Sequence, residues 1–160
     1  MISHGKHRKH GRMHGKPDAI QKIICALSGS FLNSLMIQEE LTFKIRGAIY
    51  EVFKELGPGL FESVYERALI KELRSKGMKV LTQVPVDVFY KGEDLQLGFR
   101  LDLLVDDEVI IEVKSVEQLH DVHKKQLLNY LKLTGKRVGL LVNFNSAYIK
   151  DNFSLVRIVN

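Results

Sequence analysis

A chain of 160 residues is the size of one domain, and 45% hydrophobic content gives it enough apolar surface to bury a core under a central sheet. Its single cysteine, Cys25, can neither close an internal disulfide nor hold zinc alone, which excludes a disulfide-stapled scaffold and favours a reducing, cytoplasmic setting. The net charge of +5 invites a nucleic-acid partner, but residues 1–18 carry +4 of it (Lys6, Arg8, Lys9, Arg12 and Lys16 against Asp18), so the rest is nearly neutral at +1 and any DNA contact must rest on a local patch.

Residues 1–18, "MISHGKHRKHGRMHGKPD", hold almost no apolar residue and read as a disordered, basic, His-rich tail. His4, His7, His10 and His14 could bind a metal adventitiously or help touch phosphates, although a solvated leader is the plainer reading. Residues 19–36 form an apolar extension broken by Ser28, Gly29, Ser30, Asn33 and Ser34. No uninterrupted run approaches the roughly 20 residues of a membrane span, and no clear small-residue cleavage site supports a signal peptide. No membrane partner is therefore expected.

The folded domain is expected over 37–160. From Gln38, Leu41, Ile45, Ala48, Ile49, Val52 and Leu56 recur at helical spacing until Gly57 and Pro58 stop them. A second helix is predicted from Leu60 to Lys76, with Val64, Ala68 or Leu69, and Leu73 facing inward and Gly77 as its left-handed cap. The period then shifts towards two. "KVLTQVPVDVFY" is a strand whose Pro85 suggests an edge or a bulge, "KGED" is a turn, and "FRLDLLVDDEVIIEVKS" supplies two more strands. A third helix starts at about Val116 or Leu119 and ends before Gly135. "RVGLLVNF" is a short buried strand, and "SLVRIV" offers a last one. From residue 60 the order is α-β-β-β-α-β: an α/β (α+β) domain with a mixed sheet, flanking helices and an extra N-terminal helix.

Three ionisable residues stand inside the apolar strands: Asp102, Glu112 and Lys114. Buried charges need partners or a metal. A two-residue turn at Asp106 and Asp107 would send Asp102 and Glu112 to opposite faces. A three-residue turn, Asp106 to Glu108, sets them opposite each other with Cβ atoms about 5 Å apart, and Lys114 shares their face. Two adjacent carboxylates repel unless a proton or cation intervenes, and oxygen ligands with open water positions suit Mg²⁺ or Mn²⁺. A salt-bridged cluster on a solvated sheet is the competing reading.

Asp102-x9-Glu112-Val113-Lys114, with Glu62 on the preceding helix and Gln126 on the following one, resembles the PD-(D/E)XK nuclease superfamily and its restriction-endonuclease-like α-β-β-β-α-β core. Gly59, Glu62 and Tyr65 in "GLFESVY" are similar to its GxxExxY branch, and the resemblance runs over about residues 38–160. It implies that Asp102, Glu112 and the Val113 carbonyl ligate Mg²⁺ or Mn²⁺, and that Lys114 handles the water or phosphate. Glu62 matches the helix carboxylate near the metal. Gln126 and Tyr130, as Q-x3-Y at i and i+4, share a helix face able to reach the site or the DNA backbone. Leu101 replaces the motif's proline, and Phe53 stands where relatives often carry histidine.

Each position also has a structural reading. Glu62 suits the positive end of its helix, Tyr65 suits the core with a tethered hydroxyl, and Gln126 suits an exposed face. His120, His123, Lys124 and Lys125 form a small basic turn that could contact phosphate or stay solvated. The implied function is Mg²⁺-dependent hydrolysis of DNA, with RNA as a further substrate. The alternative is a catalytically weak nuclease-fold module that binds nucleic acid or protein. A homodimer whose interface is the first helix and the apolar segment 19–36 is compatible with both.

Overall fold

The structure, a computed structural model, describes the backbone of residues 19–160 and the side chains of residues 36–160 apart from Leu97. The expected tail over 1–18 lies outside the described residues. In chain order the elements are α1 (Ala19–Leu56), α2 (Glu62–Ser75), β1 (Val80–Tyr90), β2 (Glu93–Val105), β3 (Val109–Lys114), α3 (Asp121–Thr134), β4 (Val138–Asn143) and β5 (Leu155–Val159). Helix α1 begins well before Gln38. Ser28, Gly29 and Ser30 read as breaks, but each costs a helix at most about 1 kcal/mol against alanine, too little to end one.

Residues Met36–Asn160 form one compact unit. Its five strands stand in the order β1-β2-β3-β4-β5, with β3 and β4 parallel and the other neighbours antiparallel. The sheet is covered on both faces. Leu41, Ile45, Ala48, Ile49 and Val52 of α1 and Tyr65, Leu69 and Leu73 of α2 pack on Val109, Ile111, Val113, Leu140 and Val142. Leu127, Tyr130 and Leu131 of α3 pack on Leu101, Leu104, Ile110 and Leu141. Strand β3, buried as far as Val113, and the wholly buried β4 explain their apolar runs.

Two inward assignments are corrected. Val64 is exposed and Tyr65 takes its place at the head of the Tyr65–Leu69–Leu73 stripe, because the larger aromatic buries more surface at the same four-residue spacing. Leu56, at the end of α1, is also exposed. Gly77 (φ 81°) and Gly135 (φ 68°) end α2 and α3 in the left-handed region. Gly139 of β4 serves packing instead: a Cβ there would meet Leu127 Cδ1 at 2.8 Å, so its absence lets α3 lie close to the sheet.

The β2–β3 turn contributes three residues, with Val105↔Val109, Leu104↔Ile110 and Leu103↔Ile111 paired. Asp106 (φ 50°) and Asp107 (φ 59°) carry it in left-handed backbone, which aspartate tolerates. On the other side of β2, β1 forms the sheet edge, as Pro85 suggested. Its ladder passes from Thr82↔Leu103 to Val84↔Leu101, and the skipped residue, Gln83, has φ 50°. Leu103 belongs to the α1–α2 core and Leu101 to the α3 core, so strict alternation breaks between them, at Asp102. Among the described residues no helix is long and apolar enough to cross a membrane.

Candidate active site

Strand β3 delivers the first two groups. Ile110 belongs to the α3 core, and side chains alternate, so Glu112 and Lys114 continue Ile110's face beyond the apolar layer. Glu112 is 2% exposed, and its Oε1 accepts a hydrogen bond from Lys114 Nζ at 2.8 Å. Its Oε2 is buried without a partner. An ionised carboxylate with one orphaned oxygen is a costly state, and an electropositive ligand would relieve it.

Asp102 lies one residue beyond the last β2–β3 pair. There the ladder opens, and Asp102 Oδ2 accepts the Val113 N–H at 2.9 Å. Helix α2 supplies a third carboxylate: Glu62, in its first turn, accepts the Ser115 N–H at 3.0 Å. Ser115 Oγ in turn donates to the Leu60 carbonyl at 2.6 Å. Tyr65, one turn along α2, donates to the Gly57 carbonyl at 2.7 Å and accepts the Leu60 N–H at 3.1 Å. Its ring stacks on Phe144 with centroids 4.5 Å apart. Gly59 (φ 100°) gives the loop a conformation that a side chain would strain. The Gly59, Glu62 and Tyr65 spacing is thus a brace tying the 57–62 segment to the end of β3, and Tyr65 has the tethered core role.

The electrostatics follow from crowding. Burial, then the charge of Asp102, pushes Glu112 up to about 7 despite the adjacent Lys114. Burial raises Asp102, against the Val113 N–H and Lys114. Burial works against charge on Lys114, but its hydrogen bond to Glu112 and the charges of Glu112, Asp102 and Glu62 outweigh it and hold the ammonium above its usual range. Lys114 is therefore a firmly protonated cation.

Helix α3 approaches from the other face. Gln126 Nε2 donates to the Tyr130 hydroxyl at 2.7 Å, so the two share a face as their spacing implies. Tyr130 is raised first by burial, with Glu112 and Asp102 adding to it, which places it within the field of the cluster. Gln126 is partly buried, so it is not on a fully exposed face. His123 accepts the His120 N–H on Nδ1 at 3.1 Å, a local cap of α3. Burial, then Lys114 and His120, lowers its pKa, leaving it neutral near pH 7. Lys124 pairs with Asp121 at 3.1 Å on the surface, and Lys125 is exposed.

Four contributors were not singled out from sequence. Glu66, four residues after Glu62, is raised by burial and then by Asp102, and it accepts a hydrogen bond from Gln83 Nε2 at 3.3 Å. Asn143 is buried at the end of β4, where it donates to the Val116 carbonyl at 2.8 Å and accepts the Val116 N–H at 3.0 Å. Ser115 is the fourth. The signal was present: Asn143 is a polar end to an apolar strand, and Glu66 repeats Glu62 after one helical turn.

A model of the PD-(D/E)XK nuclease superfamily matches residues 39–156, well over half of the chain. The chain belongs to that superfamily. PD-(D/E)XK nucleases generally use divalent metals such as Mg²⁺ and act on nucleic acid, and the matched span contains every carboxylate described above. No curated protein matches this superfamily member. A crystal structure described as that of SSO0001 is similar over 61% of this chain at 22% identity, with a TM-score of 0.48. The aligned part spans about half, 48%, of that chain.

The donor set of this PD-(D/E)XK chain fits a hard divalent cation: two neighbouring carboxylates, one with a buried orphaned oxygen, in a field that retains protons. Among the described residues no group of three or more His, Cys, Asp and Glu side chains is arranged to hold a metal ion. A cation between Asp102 and Glu112 would therefore complete its shell with backbone, water or substrate oxygens, as Mg²⁺ commonly does.

Proposed function

We propose that the chain is a Mg²⁺- or Mn²⁺-dependent nuclease hydrolysing DNA phosphodiester bonds at the Asp102–Glu112–Lys114 cluster, and that Gly59, Glu62 and Tyr65 mark it as a GxxExxY-branch protein. The orphaned Glu112 Oε2 beside Asp102 carries the reading, because two crowded carboxylates are relieved by a cation. The bound cation would activate water and offset charge on the phosphoryl oxygens.

The remaining chemistry belongs to the chain. Asp102 and Glu112, with the Val113 carbonyl, hold the cation's position. Lys114, kept protonated, stabilises the charge that builds on the phosphoryl group and orients water rather than removing its proton. The water oxygen bonds to phosphorus and releases a proton to solvent as one ester oxygen leaves and takes up a proton from solvent. Glu62 fixes the 57–62 segment through Ser115 and offers its second oxygen to water at the site. Gln126 and Tyr130 line the α3 side, where amide and hydroxyl can meet the sugar-phosphate backbone. His120, His123, Lys124 and Lys125 would give weaker phosphate contacts. RNA presents the same phosphodiester and is the second substrate. The single cysteine suits a cytoplasmic setting. A homodimer through α1 leaves this chemistry unchanged, and the exposed Met36, Phe43 and Tyr50, seven residues apart on its outer face, suit such a contact.

The test is cleavage of single-stranded, nicked and linear duplex DNA with Mg²⁺ or Mn²⁺. Wild type should cut at least one of them, and Asp102→Ala or Lys114→Ala should lose about a hundredfold or more while keeping the native circular dichroism spectrum. Wild-type protein that binds these substrates but leaves all of them intact would instead make the chain a binding module.

A further inference from the structure

Phe61 is 83% exposed, yet it occupies the N-cap of the 14-residue helix α2. That position favours Ser, Thr, Asp or Asn, whose side chains satisfy free backbone N–H groups, and Phe61 makes no such bond. A residue that breaks both the capping rule and the burial rule calls for a compensating use. Nor is its surrounding backbone loose. Leu60 before it and Glu62 after it are both hydrogen-bonded to Ser115, at 2.6 Å and 3.0 Å, and Ser115 directly follows Lys114. The Phe61 carbonyl accepts the Val64 N–H at 3.0 Å, and Tyr65 holds the loop behind it. A large aromatic side chain is thus carried in water on a braced loop at the rim of the carboxylate cluster.

We propose that Phe61 is a stacking platform for an unpaired nucleobase next to the phosphate handled by Lys114, which makes the preferred substrate single-stranded DNA or a frayed strand end. This deepens the nuclease reading and rests on it for the identity of the ligand. A base lies one sugar away from its phosphate, so an aromatic residue beside a phosphate-handling lysine meets bases as a matter of connectivity. A base inside a duplex has both faces covered by its neighbours, whereas a base in a single strand offers a free face to the ring. Such stacking tolerates any sequence, which suits a protein whose body, at +1, lacks a strong electrostatic hold on duplex DNA.

The test uses the full chain in metal-free buffer, so that binding is read without cleavage, with a dye-labelled single-stranded oligonucleotide and its duplex. Phe61→Ala should weaken single-strand binding about tenfold and leave duplex binding unchanged. The chain contains no tryptophan, so the Phe61→Trp variant has one emitter; it should bind as wild type does, with its emission quenched by the oligonucleotide. Single-strand binding by Phe61→Ala within twofold of wild type overturns the proposal. Emission that stays constant while anisotropy reports binding does the same. A change of sedimentation in Phe61→Ala without a change in DNA binding assigns the residue to a protein contact instead. Wild type that binds no oligonucleotide fails the nuclease reading and this one together, whereas the expected Phe61 effects without any cleavage would leave the stacking role standing alone.

Discussion

The two ends of the β2–β3 hairpin carry the same kind of ion pair with opposite consequences. At the turn, Lys136 Nζ lies 2.8 Å from Asp107 Oδ1; at the far end, Lys114 Nζ lies 2.8 Å from Glu112 Oε1. Asp107 is exposed, and the lysine's hydrogen bond and charge lower its pKa. Glu112 is buried beside Asp102, and its pKa rises to about 7. Equal contact distance does not give equal ionisation. Desolvation and like charge decide the outcome, so one hairpin holds an ordinary surface pair at its turn and a proton-retaining cluster at its open end.

The contrast is sharpest at Glu112. Its folded-state pKa of about 7 stands above the ordinary 4.5, so between those values the folded chain keeps a proton that the unfolded chain has released. Metal-free stability should therefore fall as pH rises through that window, by at most about 3 kcal/mol if the full shift is expressed. Glu112→Gln should flatten the slope and lose Mg²⁺ binding in calorimetry; urea melts from pH 4.5 to 8 check the first effect, and an unchanged slope would break the comparison. Tyr65→Phe should cost about 1–2 kcal/mol, since it removes a donor to Gly57 and an acceptor from Leu60 near buried groups. Cleavage by that variant should slow as the loop loosens, with the Phe144 stack kept. Asp107→Asn should leave both stability and cleavage nearly unchanged, because exposed pairs are worth little. A larger effect there would mean that the turn and the cluster are coupled.

Much of this contrast could be read from residues. The count of Asp106 to Glu108 gives the register that brings Asp102 towards Glu112 and Lys114, because a two-residue turn would set Asp102 opposite Ile111 instead. The element order, the edge position of β1 and the glycine stops follow from equally local rules. The inward face of α2 did not, since Val64 and Tyr65 are both acceptable core residues one position apart, and only the fit against Phe144 separates them. Nor did Gln83, whose left-handed backbone no glycine announces. The reach of α1 back to Ala19 was hidden by small polar residues that a long helix absorbs. His120 and His123 read equally well as phosphate contacts or as a cap, and the bond between them supplies the cap.

The irregularity at Gln83 has a further effect. Strand β1 is an 11-residue edge whose Leu81, Phe89 and Tyr90 are exposed, the kind of surface on which a second chain can add a strand and start a fibre. Pro85 has no backbone donor to offer and holds a fixed φ, and the left-handed Gln83 two residues earlier interrupts the strand's pleat. A docking strand would find no long regular row of donors and acceptors to copy. The same distortion that breaks alternation at Asp102 thus guards the molecule against stacking edge to edge with its own kind.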